Sequence, residues 1–432
     1  MKKHFSVLCV LLVAFAVFGS VAIAQDEPVT LLWGMWGSPE EIATHQLVAD
    51  AYMEQNPDVT IELWSQPWGD YFTLLDTLFV ADDPAAIPDV FFLFPVPSYA
   101  SRGVLNNLDP FIEESGMDLT DYWPGAIDST SFEGSVYGFP RDSAVEVLYY
   151  NKDDFDAAGL EYPDETWTWD DLRAAADALT IREASGRITR YGLAMEGGKY
   201  FNWVGGNGGM ILDDMFNPTQ CMLSQPEAVE GIEFFAGMMN DEIAWRDANL
   251  SQAGGDQSVF LAGQASMIIQ NASRVPAFNA AGVNYDVAPV PMAPSGGRQA
   301  GGASGAAWVM SAVTDNPEEA WDFLQFLQSP EGGQAIYFAT GEAFPPTRSG
   351  AESEVFLNPD RAPENKEAWL IGAETVNVNG NGFFADWNEL NSTIISPVLT
   401  AIWAGEAQAA DVLPGLCEDV DAYLAERGYG SS

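Results

Sequence analysis

Between residues 29 and 94 strand and helix signals alternate without interruption, and no other feature of the chain narrows its fold as much. Residues 29–33 form an apolar strand that runs into Gly34-Met35-Trp36-Gly37-Ser38-Pro39, where Ser38 is placed to cap a helix. From 39 to 54 the side chains Ile42, Leu47, Val48, Ala51 and Tyr52 keep helical spacing until Asn56-Pro57-Asp58 ends it. Residues 59–64 alternate as a second strand, 68–80 read as a second helix, and Pro88-Asp89-Val90-Phe91-Phe92-Leu93-Phe94 is a third, buried strand. Strand and helix in this order open a wound α/β lobe, whose ligands collect beyond the carboxyl ends of the strands.

At 432 residues the chain is too long for one core, so two lobes are expected. No Pro/Ser-rich linker separates them, which points to lobes woven by several crossings. The first crossing is Tyr137-Gly138-Phe139-Pro140 followed by a β-rich run at 145–150: proline removes a donor and holds Phe139 extended, so one strand closes before another begins. Woven lobes imply a hinge beside a cleft. Downstream, Thr166-Trp167-Thr168-Trp169-Asp170-Asp171-Leu172 is a capped entry to a helix, residues 191–195 form a strand, and 197–209 combine Tyr200, Phe201 and Trp203 with several glycines, as a loop presenting aromatic faces does. Further helices are expected at 226–239, 317–327, 330–337, 387–403 and 411–426, with a turn at Gly263 into a strand ending near Ile269 and another strand at 307–310.

With 63 Asp+Glu against 17 Lys+Arg the net charge is −46, a field that repels phosphate backbones and anionic headgroups, so nucleic acid is not a partner. Such acidity suits the solubility and salt tolerance of an exported surface. Lys2 and Lys3, the apolar run 5–18 and Ala22-Ile23-Ala24 mark residues 1–24 as a cleaved export signal. Leu8 stands before Cys9 where a lipoprotein signal wants a small residue, so the mature protein is expected to be soluble, extracytoplasmic and without a lipid anchor. Cys221 and Cys417 remain, either as one disulfide or as two buried thiols. His4 leaves with the signal and only His45 is left, which removes the histidine-dependent triads and common zinc spacings. No phosphate-loop or dinucleotide motif occurs, and no cofactor or metal is expected.

The ordered motifs carry a wider likeness. They are the strand ending at Trp36, Pro88-Asp89-Val90, the crossing through Tyr149-Tyr150-Asn151-Lys152, Thr168-Trp169-Asp170-Asp171-Leu172 and Phe260-x-x-Gly263-x-x-Ser266-Met267. Beyond them stand Gly301-Gly302-Ala303-Ser304-Gly305, Ala320-Trp321-x-Phe323-Leu324-x-Phe326-Leu327 and Pro345-Pro346-Thr347-Arg348. From about residue 28 to 428 the chain resembles family 1 of the extracellular solute-binding proteins of ABC importers, which includes the maltose-binding protein and many sugar binders. That resemblance implies two interwoven α/β lobes of periplasmic binding protein type II, closing by a multi-crossing hinge on a small-molecule carbohydrate and presenting the closed form to a membrane permease. It implies a monomer with no enzymatic activity. The lobes would be 25–140 with 285–330 and 141–284 with 331–432, the later crossings lying near 281–285 and 328–332.

The resemblance also assigns ligand contacts. Trp36 and Ser38 follow the first strand, Trp68 and Tyr71 begin a helix facing the cleft, and Phe94 ends the third strand where maltose binders have a stacking Trp, which argues against maltodextrin. Trp36 could instead pack the lobe edge, and Trp68 could be a hydrophobic staple. Arg141, Asp142 and Glu146 lie on the hinge; alanine at Asp142 or Glu146 is expected to weaken binding without unfolding the protein. Tyr200, Asn202, Trp203 and Asn207 correspond to the aromatic loop of the second lobe, the foremost part of the expected site. Asn271 and Arg274 make a polar wall, Gly302 and Ser304 bring backbone close, Glu342 and Arg348 stand at the mouth, and Trp387 adds a stacking ring or simply starts a helix. The residue types fit a sugar, whose C–H faces need aromatic platforms and whose hydroxyls need directed donors and acceptors. The 14 Trp supply the platforms. Two other readings stay open: a binder of a polyamine or peptide, which the acidity would suit, and a secreted glycosidase, which needs two carboxylates among many.

Overall fold

The computed structural model describes residues 28–81, 84–123, 125–302, 306–341, 343–376 and 382–430. The export signal, Cys9, Ser304 and Glu342 lie outside the described residues. Strand β1 (Val29–Trp36) runs parallel to β2 (Val59–Gln66), Val29 opposite Val59, and to β3 (Val90–Leu93), Trp33 opposite Val90. A hairpin of β4 (Ser131–Phe132) and β5 (Ser135–Val136) precedes β6 (Gly138–Pro140), and β7 (Val147–Asn151) comes next. The remaining strands are β8 (Ile181–Arg182), β9 (Ile188–Ala194), β10 (Ala265–Gln270), β11 (Tyr285–Ala288) and β12 (Ala307–Met310). They make two five-stranded sheets, β2-β1-β3-β12-β6 and β11-β7-β10-β9-β8, each covered by helices in an α/β lobe.

The helices begin where the sequence supplies caps. Helix α1 (Pro39–Gln55) opens on a capping box in which Ser38 Oγ accepts from Glu41 N and Glu41 Oε2 accepts from Ser38 N, satisfying two otherwise orphaned donors. Thr168 and Asp171 do the same for the helix Trp169–Leu179. Helix α2 (Trp68–Ala81) buries Tyr71 and Leu75 against the first sheet, where the Tyr71 hydroxyl donates to the Phe92 carbonyl at 2.8 Å.

The first crossing stands where expected, between β6 in one sheet and β7 in the other. The second does not. Tyr285 pairs with Asn151, so β11 extends the free edge of β7 in the second sheet and the return to the first comes between β11 and β12 rather than at 281–285. The 328–332 crossing moves as well: helix Gly333–Thr340 packs on α1 and on helix Pro317–Gln328, with Tyr337 Oη 2.8 Å from His45 Nδ1, which keeps the chain beside the first sheet. The expected helix 387–403 is broken by a π-turn, Asn391–Ile395, between Trp387–Leu390 and Ser396–Trp403.

The expected loop at 197–209 is instead a single turn, Gly197–Lys199, leading into a buried helix, Phe201–Gly206. Its glycines and those facing it serve packing. A Cβ on Gly231, in helix Pro226–Asn240, would come within 2.5 Å of the Trp203 carbonyl oxygen, and one on Gly209 within 2.8 Å of Ala228 N. These helices touch backbone to backbone, which only glycine permits.

Candidate functional site

Both sheets turn their ends toward a cavity of about 230 Å³. From the first come Trp36 at the end of β1, Glu41 in the first turn of α1, Trp68 at the start of α2, and Phe92 and Phe94 at the end of β3. The crossing contributes Arg141, Asp142, Ala144 and Glu146; Phe201, Asn271 and Ser273 come from the second sheet's side, and Gly302 and Ala306 from the approach to β12. Parallel strands β1 and β3 end here, as the rule for open α/β sheets requires.

The apolar wall is a cluster of rings. Trp36 stacks on Phe92 with centroids 4.2 Å apart and planes 21° apart, and meets Trp68 edge-on at 4.9 Å. Trp68 is 56% exposed, so its outer face is open to a ligand. Beside these rings the ionic groups are paired. Arg141 Nε donates to Asp142 Oδ2 at 2.8 Å, and its guanidinium carbon lies 4.6 Å from the centre of the Phe92 ring. Glu146 Oε1 accepts from Lys199 Nζ at 2.5 Å while Oε2 accepts from the Asn202 amide.

The Glu146 network also ties the two crossings together. Glu146 N donates to the Ala300 carbonyl and Asn202 Oδ1 accepts from Gly301 N, both at 2.9 Å. Gly301 has φ +100°, and a Cβ there would fall 2.2 Å from the Ala144 carbonyl oxygen, so the segments run in backbone contact. Lys199 Nζ reaches on to the Ile269 carbonyl of β10 at 3.4 Å.

Of the residues assigned from sequence, Trp36, Trp68, Phe94, Arg141, Asp142, Glu146, Asn271 and Gly302 meet at this cavity. Asn202 joins them through its bond to Glu146. Ser38 does not line it; its side chain is engaged as a helix cap. Trp203 is fully buried in the second lobe against Trp169, Phe234 and Phe235. Asn207 turns to the Glu227 carbonyl and Glu230 carboxylate, and Arg348 pairs with Glu374 over the Trp123 ring. Arg274 lies behind the Asn271 wall with one guanidinium nitrogen 3.3 Å from Ser273 Oγ. Tyr200 and Trp387 come together elsewhere, in a second cavity of about 200 Å³ shared with Asp247, Asn391 and Trp403.

Glu41, Phe92, Phe201 and Ser273 were not anticipated at the cavity, nor was Lys199 as partner of Glu146. Glu41 was signalled by the Ser38-x-x-Glu41 spacing, which fixes a carboxylate at the end of β1. Lys199 could have been suspected as one of only 17 basic residues, placed just after a strand end.

His45 lies directly beneath this wall. Burial and then the charge of Arg141 hold its imidazole well below the ordinary value of 6.5. The unfolded chain therefore binds a proton that the folded one refuses, so stability is retained above pH 6.5 and falls progressively as the pH drops below it. Urea denaturation at pH 7.5 and 5.5 should show that loss, and His45→Phe should reduce it.

Cys221 and Cys417 are joined by a disulfide. Among the described residues no helix is long and apolar enough to cross a membrane.

A family model for the bacterial extracellular solute-binding proteins matches residues 37–334. A binding protein of Brucella abortus (strain 2308) is 24% identical over 391 residues, covering 87% of this chain and 89% of its own. The maltodextrin-binding protein of Bacillus subtilis (strain 168) is 27% identical over 301 residues, 67% of each chain. Among solved structures, an ABC substrate-binding protein of Listeria monocytogenes in complex with cycloalternan is similar with a TM-score of 0.79 at 24% identity, over 92% of this chain and 99% of that one.

Proposed function

Because the chain belongs to the bacterial extracellular solute-binding protein family, we propose that it is the substrate-binding component of an ABC importer for a carbohydrate, which it holds between its lobes and delivers to a membrane permease. The observation that carries this reading is the state of charge in the cavity. The surrounding protein is strongly acidic, yet Asp142 is matched by Arg141 within the wall itself and Glu146 by Lys199, which it contacts at 2.5 Å. Among the described residues, Glu41 is the one lining carboxylate without such a partner, and its Oε2 already accepts from Ser38 N. Such a site offers directed donors and acceptors beside aromatic faces with little net charge, which suits a neutral polyol. A polyamine would need unmatched carboxylates.

In this reading the protein binds without covalent chemistry. The ligand bridges the aromatic wall of the first lobe and the Asn271 wall of the second, and its greater affinity for the closed arrangement drives closure about the crossings. X-ray scattering should show compaction on adding a bound sugar.

Thermal unfolding with glucose, maltotriose, mannotriose, spermidine and a tripeptide tests the ligand class, since a true ligand raises the midpoint by mass action. A carbohydrate is expected to do so; stabilisation by spermidine and by no carbohydrate would overturn the reading. Trp68→Ala should weaken carbohydrate binding roughly 10-fold or more by removing a stacking face, while costing no more than about 1 kcal/mol of stability because the ring is largely exposed. Titration calorimetry and urea denaturation measure the two.

A further inference from the structure

Behind the cleft, His45 is the only histidine among the described residues, and the binding scheme above gives it no task. It sits on α1 with no exposed surface, inside a cage of four rings: Trp33 at 5.4 Å, Trp308 at 5.7 Å, Tyr337 at 5.5 Å and Phe92 at 6.3 Å, all meeting it edge to face. Nδ1 is 2.8 Å from the Tyr337 hydroxyl, whereas Nε2 is buried with no partner among the described residues. Leaving one ring nitrogen unsatisfied is costly, and a leucine or phenylalanine would fill the space without that cost.

Two of these rings, Phe92 and Tyr337, also hold Arg141, and both Phe92 and Arg141 line the cavity. The Arg141 guanidinium carbon lies 4.6 Å from the Phe92 ring centre and 5.5 Å from that of Tyr337. The helix carrying Tyr337 grips the arginine's backbone as well, through Gln334 Nε2 donating to the Arg141 carbonyl at 3.2 Å. We infer that His45 is a positioning residue: by fixing the Tyr337 hydroxyl it sets the rings on which Arg141 rests, and so the direction in which Arg141 faces the ligand.

The hydrogen bond explains why a polar side chain is retained in an aromatic cage. It stops the Tyr337 ring from sliding along its helix axis, and a guanidinium stacked on that ring keeps its orientation only while the ring keeps its own. Among the described residues, the charged and titratable groups nearest the imidazole include Arg141 and Tyr337, with Asp142 beyond the arginine and Glu41 one turn earlier on α1. Asp142 is already committed to Arg141, so the imidazole must stay neutral to do this work.

The consequence for ligand orientation rests on the carbohydrate-site reading, but the test needs no ligand, so either idea can fail without the other. The Arg141 Nε–H resonance is assigned in ¹⁵N-labelled protein by its loss in Arg141→Lys. Its hydrogen exchange is then measured in wild type, Tyr337→Phe and His45→Phe, with Arg190, paired to Asp154 in the second lobe, as the internal reference. Loss of one buried hydrogen bond should speed exchange at Arg141 by up to roughly tenfold in both variants and leave Arg190 unchanged. Tyr337→Phe removes a single oxygen and keeps the fold even where His45→Phe perturbs packing. An Arg141 resonance with unchanged shift and exchange in folded Tyr337→Phe would overturn the inference, as would equal acceleration at Arg190.

Discussion

Glu146→Ala should cost about 3 kcal/mol of folding stability and remove detectable carbohydrate binding in the same protein. The sequence suggested a milder outcome, weakened binding in an intact fold, because a carboxylate on a hinge reads as a ligand group with nothing else to hold. In the structure both of its oxygens are occupied by protein donors, Lys199 and Asn202; Glu146 and Asn202 are buried, and the Lys199 side chain is only 14% exposed. Removing the carboxylate leaves an ammonium in the wall without its anion, the situation in which breaking a buried pair is most damaging. It also frees Asn202, whose other end holds Gly301 N, so the two crossings lose a shared anchor. The double variant Glu146→Ala/Lys199→Met takes out both charges and should recover a large part of the stability while leaving binding lost. Urea unfolding of the single and double variants, with calorimetry on each, separates these effects. Equal stability of Glu146→Ala and wild type would show that the network does not hold the hinge.

The difference between the two expectations for Glu146 shows where sequence reasoning stops. Features set by local chemistry were legible: Ser38 caps α1, the run from Thr166 to Leu172 opens a capped helix, and Pro140 closes β6 before β7 begins in the other sheet. Features set by a partner chosen at long range were not. Tyr285–Ala288 is buried at every position, so no alternation marks a face, and only pairing with Asn151 places it in the second sheet. Trp203 and its neighbouring glycines have the composition of an aromatic binding loop and equally of a close helix contact. A Cβ on Gly231 would fall 2.5 Å from the Trp203 carbonyl oxygen, which decides for the contact, and that closeness has no signature in the local sequence. The cavity was legible where strands end, at Trp36 and Phe94, and on the crossing at Arg141, Asp142 and Glu146. It was obscure where a helix brings a side chain across, as with Lys199 and Phe201.

The other large effect belongs to the second lobe and should leave binding untouched. Cys221 and Cys417 close a loop with a sequence separation of 196, and the entropy that such a cross-link removes from the unfolded chain corresponds to roughly 5 kcal/mol in the simplest loop model. Residual structure in the unfolded state reduces that figure, and a loss of about 3 kcal/mol in Cys221→Ser/Cys417→Ser is the expected result. The bridge pins the terminal helix Ala409–Glu426 to the segment that pairs Cys221 with Leu212, and a second tie runs beside it, Cys221 N donating to Asp421 Oδ1 at 2.6 Å. None of these residues lines the cavity between the sheets. A reducing agent should therefore lower the thermal midpoint of the wild type by several degrees, do nothing to the double serine variant, and leave the carbohydrate dissociation constant of both unchanged at about 25 °C. A midpoint insensitive to reduction would mean that helix Ala409–Glu426 is held by its packing alone. A shifted dissociation constant would mean that the terminal helix reaches the hinge by a route other than direct contact.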